Sequence, residues 1–224
     1  MAFARVPSFA SEQDASPLNA AAMCVQAGRS VSAAGDETGD IHRYIFTWDA
    51  ILRSIPATVE QRTAALVGAE SSFRDVSVDN PRLPLIAAQG MVAACRSSDL
   101  QYGYLESHST PALRTQEGLS GAATCVAIAE YLVRENPANQ QAASALVGAW
   151  TRVMTGILAD TAQREAALHR ARDLVQQSHT QNAEGTLYYS QVFSRDICAG
   201  QQRRTDYLML WGSAEAMSAA EAHN

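Results

Sequence analysis

Apolar residues recur at helical spacing through most of this chain. The stretch IHRYIFTWDAILRSI has apolar residues at positions 41, 45, 48, 51, 52 and 55, and this spacing places them on one side of a helix. Pro56 then ends the helix. No convincing run alternates apolar and polar residues, so we predict a mainly α-helical fold. We find no internal repeat.

Helix signals and breaks divide the rest of the chain. Ser16 and Pro17 stand where an N-cap and a first helical residue are expected. The run from about 139 to 179 is helical, with an interruption near Gly156. The segments RDVSVDNPRLPL and LQYGYLESHSTP are predicted as loops, because prolines break the first and a glycine breaks the second.

One predicted helix carries an acid in its apolar stripe. It starts at Val59 and ends near Ser71, and positions 59, 63, 66, 67 and 70 share one face. Glu70 therefore lies in line with the buried side. Burial would favour the protonated form of its carboxyl group, which is the form a general acid needs. The alternative is a glutamate at the helix end that pairs with an arginine or faces water.

Composition and charge exclude several classes of protein. Hydrophobic residues make up 47% of the 224 residues and charged residues 18%, which is typical of a globular protein. The net charge is −6, and the 17 basic residues, all arginine, are scattered singly apart from HRAR at 169–172 and QRR at 202–204. Nucleic-acid binding needs a basic stripe, so we expect none. No stretch has the length of a transmembrane helix, and the first 17 residues lack the apolar core of a standard secretory signal.

The cysteines and histidines give no metal-site spacing. Cys24, Cys95, Cys125 and Cys198 stand far apart with no C-x-x-C pair, and their even number permits zero, one or two disulfides. His169 and Asp173 are four residues apart, which favours a solvated helix face over a metal site. We expect neither a metal nor a cofactor.

The residues around Glu70 resemble a known enzyme family. PATVEQRTAALVGAESSF is similar to the opening of the lysozyme-like lytic transglycosylases, above all those of type IV secretion and conjugation systems, in which a helix ends in Glu-Ser. Pro56, Val59 and Thr63 match residues that precede that Glu-Ser. GYLE at 103–106, GLSGAATCVAIAEYL and YYSQV follow in the family's order. The likeness spans roughly residues 49–194.

The resemblance implies a fold and a domain plan. It predicts a lysozyme-like helical domain of the goose-type and transglycosylase class over residues 41–200. Residues 1–40 would form an N-terminal helix and flexible loop, and residues 201–224 a C-terminal tail. The helical run at 153–183 would be an insertion into the family's plan.

The resemblance also implies a reaction and a set of site residues. Glu70 would act first as acid and then as base, cleaving the β-1,4 bond between N-acetylmuramic acid and N-acetylglucosamine and leaving a 1,6-anhydro end, without a cofactor. Ser71 would orient the substrate's acetamido group or cap the helix. The other substrate-binding residues implied are Tyr102, Tyr104, Glu106, Trp150 and Tyr188. Glu106 replaces the family's glutamine, and Trp150 stands where a tyrosine is usual.

Three classes of function remain in view. The first is a peptidoglycan lytic transglycosylase that opens the wall for a secretion, conjugation or phage-entry machine. The second is an inactive lysozyme-like protein that binds peptidoglycan or has a structural role in a virion or secretion assembly. The third is an unrelated helical assembly protein, for instance a virion component, in which the Glu-Ser is a coincidence. We expect the protein in the periplasm or cell envelope, or on a virion. The expected partners are glycan strands or assembly proteins.

Overall fold

The computed structural model describes residues 16–35, 38–75 and 83–213. All regular structure in these ranges is helical, which confirms the mainly α prediction. The chain divides into two compact units, residues 1–110 and 111–224. The boundary lies within the segment 41–200 that was assigned to one lysozyme-like domain.

The first unit is built around its first helix. Its helices are α1 (Pro17–Ala33), α2 (Gly39–Ser54), α3 (Val59–Asp75), α4 (Leu83–Cys95) and α5 (Ser98–His108). Helix α1 packs against α2, α3 and α4, and α5 packs against α2. Ser16 caps α1 by accepting a hydrogen bond from the Asn19 amide, and Pro17 is its first residue, as predicted.

The second unit repeats this arrangement. Its helices are α6 (Pro111–Glu135), α7 (Gln140–Gly156), α8 (Thr161–Gln181), α9 (Ala183–Phe193) and α10 (Gln201–Trp211), with a 3₁₀ turn at Pro137–Asn139 and a π-helical turn at Ser194–Cys198. Helix α6 packs against α7, α8 and α9, and α10 packs against α7. The predicted interruption near Gly156 separates α7 from α8.

Each unit contains one disulfide. Cys24–Cys95 joins α1 to the end of α4, and Cys125–Cys198 joins α6 to the π turn that follows α9. In each unit a buried tryptophan binds the backbone carbonyl of the second cysteine. The indole Nε1 of Trp48 donates to the carbonyl of Cys95 at 2.9 Å, and that of Trp150 donates to the carbonyl of Cys198 at 2.8 Å.

The sequence repeats wherever these contacts repeat. Three patterns occur once in each unit: Leu-x2-Ala-Ala-x-Cys-Val from residues 18 and 119, Trp-x6-Ile-x-Ala-x3-Gln-Arg-x-Ala-Ala-Leu from residues 48 and 150, and Cys-x8-Tyr-Leu from residues 95 and 198. The statement that the chain has no internal repeat is therefore wrong. The two units are copies of one helical module.

Half-buried polar side chains in both copies bind the same backbone carbonyls. Arg62 donates to the carbonyls of residues 53 and 55 at the end of α2. Arg164 does the same for residues 155 and 157 at the end of α7. These bonds satisfy carbonyls that the helix ends leave without a partner. The hydroxyl of Tyr104 donates to the carbonyl of Pro17 in α1, and that of Tyr207 to the carbonyl of Gly118 in α6.

In each copy a small residue of the central helix packs against a larger residue of the next helix, and the sizes of the two residues compensate. In the first unit Gly28 lies under the Tyr44 ring, and a Cβ on Gly28 would stand 2.8 Å from that ring. The corresponding residues of the second unit are Ala129 and Leu146. Ala129 is larger than Gly28, and Leu146 is smaller than Tyr44, so the second copy compensates for the larger residue on its central helix. Burial raises the pKa of the Tyr44 phenol, against a smaller lowering by Arg96, and its hydroxyl has no hydrogen-bond partner among the described residues.

We expect Gly28→Ala to lower the free energy of unfolding by about 1–3 kcal/mol, because the new methyl overlaps both the Ile45 side chain and the Tyr44 ring in a packed core. Adding Tyr44→Leu should recover part of this loss, since the double variant recreates the pair of the second unit. Thermal denaturation of the single and double variants measures the coupling. If the changes in free energy of Gly28→Ala and Tyr44→Leu are additive, the two side chains are not coupled and the size matching is contradicted.

The register between the copies changes inside the π turn. Buried Ser190 and Ser194 follow buried Ala88 and Val92 by 102 residues, but Cys198 follows Cys95 by 103. One extra residue therefore lies between Ser194 and Cys198. A one-residue insertion into an α-helix is accommodated as a π turn, so the extra residue explains why this helix differs from α4.

Three further sequence predictions can be compared with these elements. The prediction of LQYGYLESHSTP as a loop is wrong for residues 100–108, which belong to α5. Residues 201–211, assigned to a C-terminal tail, form α10. The predicted loop RDVSVDNPRLPL lies partly outside the described residues, and its described ends, residues 74–75 and 83–85, belong to α3 and α4. Residues 1–15 and 214–224 also lie outside the described residues.

Candidate functional site

Glu70 lies on the exposed side of α3. The buried residues of this helix are Ala65, Ala69 and Phe73, which form one stripe by their spacing of four. Val59 is 70% exposed, so the face that contains Glu70 is the outer one. The predicted burial of Glu70 is wrong, because two alanines and Phe73 form the inner face and Val59 and Val67 face outward.

The Glu70 carboxylate pairs with an arginine on the same helix. Arg74 Nη2 lies 2.6 Å from Glu70 Oε1, and the Glu70 side chain is 53% exposed. Water reaches this carboxylate, so the desolvation that the general-acid hypothesis required is missing. At the corresponding position of the second copy stands Arg172, which binds Glu130 of α6.

Ser71 is an interior residue of its helix. Helix α3 continues to Asp75, so Ser71 does not form a C-terminal cap, and that alternative is wrong. Its role in orienting an acetamido group stays a prediction.

The predicted substrate loop is α5. Tyr102 and Glu106 are one turn apart and exposed, while Tyr104 points to the other side. The Tyr104 ring forms edge-on pairs with Trp48 and His108, with ring centroids 5.6 Å and 4.6 Å apart. Burial raises the pKa of its phenol to about 12, against a smaller lowering by a backbone hydrogen bond. Tyr104 thus belongs to the core of the module.

The two aromatics predicted in the second unit have opposite environments. Trp150 is 1% exposed, and its indole binds the Cys198 carbonyl beside Tyr207. Tyr188 is 62% exposed on α9 and forms an edge-on pair with Tyr189 at 5.8 Å. Of these two aromatics, Tyr188 is the one whose ring is accessible to a ligand. Glu70, Ser71 and α5 belong to the first unit, and Trp150 and Tyr188 to the second.

The residues that the two copies share have a role that was not predicted from the sequence. Trp48, Arg62 and Tyr104, with their counterparts in the second unit, direct polar hydrogens at backbone carbonyls. Tyr104 and Trp150 were predicted to contact sugar, and the others were not singled out. The signal that would have found them is the repeated Gln-Arg-x-Ala-Ala-Leu. Their common role is to hold helices together rather than to carry out chemistry.

Helices α6 and α8 border a cavity of about 420 Å³. Thr115 and Gln116 line it from α6, and Gln163 and Arg170 from α8. Of the lining side chains only Arg170 is charged, so the cavity offers hydrogen bonds but no acid–base pair. None of the predicted site residues lines it.

Metal and membrane sites were also sought in the described residues. Within residues 16–35, 38–75 and 83–213, no three His, Cys, Asp or Glu side chains come together as a metal ion would require. None of the helices described in these ranges is both long and apolar enough to span a membrane.

Comparison with known proteins gives no relative. No protein-family model, no curated protein and no solved structure matches the chain.

Proposed function

We propose that this protein is a non-catalytic binding or structural protein, built from two copies of one disulfide-stabilised helical module. The observation that carries the proposal is that Trp150 and Tyr104 donate hydrogen bonds to backbone carbonyls of the module. Both residues were predicted to contact sugar, and both instead bind backbone carbonyls within the module core. Side chains committed in this way support the fold and are not available to a substrate.

The disulfides support a place of action. All four cysteines are paired, and each bond ties the central helix of a unit to its fourth helix. Structural disulfides persist in oxidising compartments such as the periplasm or the cell exterior. We therefore place the protein in the cell envelope or outside the cell, including the surface of a virion.

The duplication favours binding over catalysis. Most of the residues common to both copies are buried or half-buried, whereas side chains on the outer faces differ, as Glu70 differs from Arg172. A frame that is kept while its surface changes suits recognition of partners. We take the partner to be a protein, such as a component of a secretion or virion assembly.

Digestion of peptidoglycan tests this proposal against the lysozyme-like lytic transglycosylase. We expect neither the native protein nor Glu70→Gln to release 1,6-anhydromuropeptides from purified sacculi, under conditions in which an active transglycosylase does. Mass spectrometry of the soluble fraction is the measurement. Anhydro products from the native protein would overturn the non-catalytic proposal, and their loss in Glu70→Gln would restore Glu70 as the acid.

Glu70→Gln should also leave the fold intact. The pair with Arg74 is exposed, and such pairs contribute about 0–1 kcal/mol, so the expected change in the free energy of unfolding is within about 0.5 kcal/mol. Urea denaturation of both proteins measures it. A loss above about 2 kcal/mol would show that Glu70 has a structural role that its exposure does not suggest.

A further inference from the structure

The second copy has gained positive charge at one end of the module. Arg203 and Arg204, at the start of α10, stand where α5 has Leu100 and Gln101. Arg152 on α7 replaces Ala50 on α2. These exchanges introduce three arginines at positions where the first copy is uncharged.

The π turn contributes a fourth arginine. Arg195, Asp196 and Ile197 fill the interval that Ala93 and Ala94 fill in the first copy, so the inserted segment brings a new ion pair with it. The Arg195 guanidinium binds buried Asp196 through two hydrogen bonds of 2.6 and 2.9 Å. Turns of this kind are frequent at functional sites.

One hydrogen bond joins two of these arginines, and α10 packs against the helix that carries Arg152. Arg203 Nη1 donates to the carbonyl of Arg195, which joins the start of α10 to the π turn. Helix α10 packs on α7 where the rings of Trp150 and Tyr207 meet at 5.1 Å. We call Arg152, Arg195, Arg203 and Arg204 the arginine surface.

Two members of the arginine surface repel one another. Partial burial lowers the pKa of Arg204, and the nearby charge of Arg152 lowers it further. Within the part of the chain that the structure describes, neither residue forms an ion pair. The nearest acid along α10, Asp206, accepts a hydrogen bond from Gln202. Asp196 pairs with Arg195 and lies near Arg203. Among the described residues, the charge without an acidic neighbour is therefore that of Arg152 and Arg204, and an external anion would relieve their repulsion.

We propose that the arginine surface binds an acidic, carboxylate-bearing segment of a partner protein. Guanidinium groups match carboxylates through paired hydrogen bonds. The surface is local and positive on a chain whose net charge is −6, so it selects acidic partners against the overall repulsion. Nucleic-acid binding draws on a long basic stripe, which four clustered arginines do not form. The inference rests on the proposed binding function and specifies its partner.

Fluorescence anisotropy with a labelled deca-glutamate peptide tests the inference on the full chain at low salt. We expect saturable binding that Arg152→Gln/Arg204→Gln weakens at least about tenfold, since hydrogen bonds to charged groups contribute strongly. The matched control is Arg29→Gln/Arg74→Gln, which removes the same charge from the first unit and should weaken binding less than about twofold. Arg152→Gln alone, at an exposed position, should retain the native circular dichroism and still weaken binding.

Three results would overturn the inference. They are no saturable binding by the native protein, equal loss in both double variants, and tighter binding of a single-stranded oligonucleotide than of the peptide. Release of anhydromuropeptides would instead overturn the non-catalytic proposal, and it is measured without the peptide. The two failures are therefore distinguishable.

Discussion

Replacing both cysteines of either disulfide by alanine is expected to lower the free energy of unfolding by about 4 kcal/mol. The bonds close loops of similar length, with sequence separations of 71 and 73 residues. In the chain-entropy account, loops of this size restrict the unfolded state by about that amount. Cys24→Ala/Cys95→Ala and Cys125→Ala/Cys198→Ala should therefore destabilise the protein equally.

Urea denaturation followed by far-ultraviolet circular dichroism measures both variants without reductant. Adding reductant to the native protein should produce a loss at least as large as either variant shows. Unchanged denaturation midpoints in both variants would mean that helix packing alone holds the modules. They would also remove the main support for an oxidising compartment.

Trp150→Phe should lower the free energy of unfolding by about 2–4 kcal/mol, and Trp48→Phe by less. Phenylalanine cannot donate to the carbonyl of Cys198, and a buried acceptor without a partner costs about 1–3 kcal/mol. The Cys95 carbonyl keeps a second donor in Trp48→Phe, because Gln101 Nε2 lies 3.3 Å from it. In both variants the smaller ring leaves a void in a packed core, since both tryptophans are 1% exposed.

Thermal denaturation of the two variants provides the comparison, with Tyr188→Phe as the control. Tyr188 is exposed, so that change should shift the melting temperature little. A stable Trp150→Phe that had lost binding to peptidoglycan would support a sugar-binding Trp150 and contradict the core role described above.

Helices with large apolar residues on one side could be predicted from the sequence. Ile41, Trp48, Ile51 and Leu52 share one face of α2 by spacing, and the structure buries all four. The start of α1 could also be predicted, because Ser16 as N-cap and Pro17 as first residue favour a helix start through local interactions. In such segments the local signal and the tertiary contacts agree.

Helix α3 shows where that reasoning fails. Its valines at 59 and 67 point outward, and its inner face uses Ala65 and Ala69, which let the helix approach α1 closely. Alanine is a weak hydrophobic signal, so the spacing rule chose the wrong face. The error carried into the site, because the supposed burial of Glu70 was the physical argument for an acid catalyst.

The duplication was missed for a different reason. The matching residues are few and separated by long variable stretches, and their spacing shifts from 101 to 102 to 103 residues along the chain. A search at one fixed period misses such a pattern. The contacts reveal it because Trp48 and Trp150 bind corresponding carbonyls regardless of the residues between them.

The π turn also bears on how this module changes over time. A helix that gains a residue ordinarily rotates everything on one side by about 100°, which here would carry Ser190 out of the core or Cys198 away from Cys125. The wide turn absorbs the addition on the spot, so both stay in place. The end of the fourth helix is therefore a point where the module accepts new length without rebuilding its interior. A duplicated copy can acquire a new face there while the other copy keeps the old one.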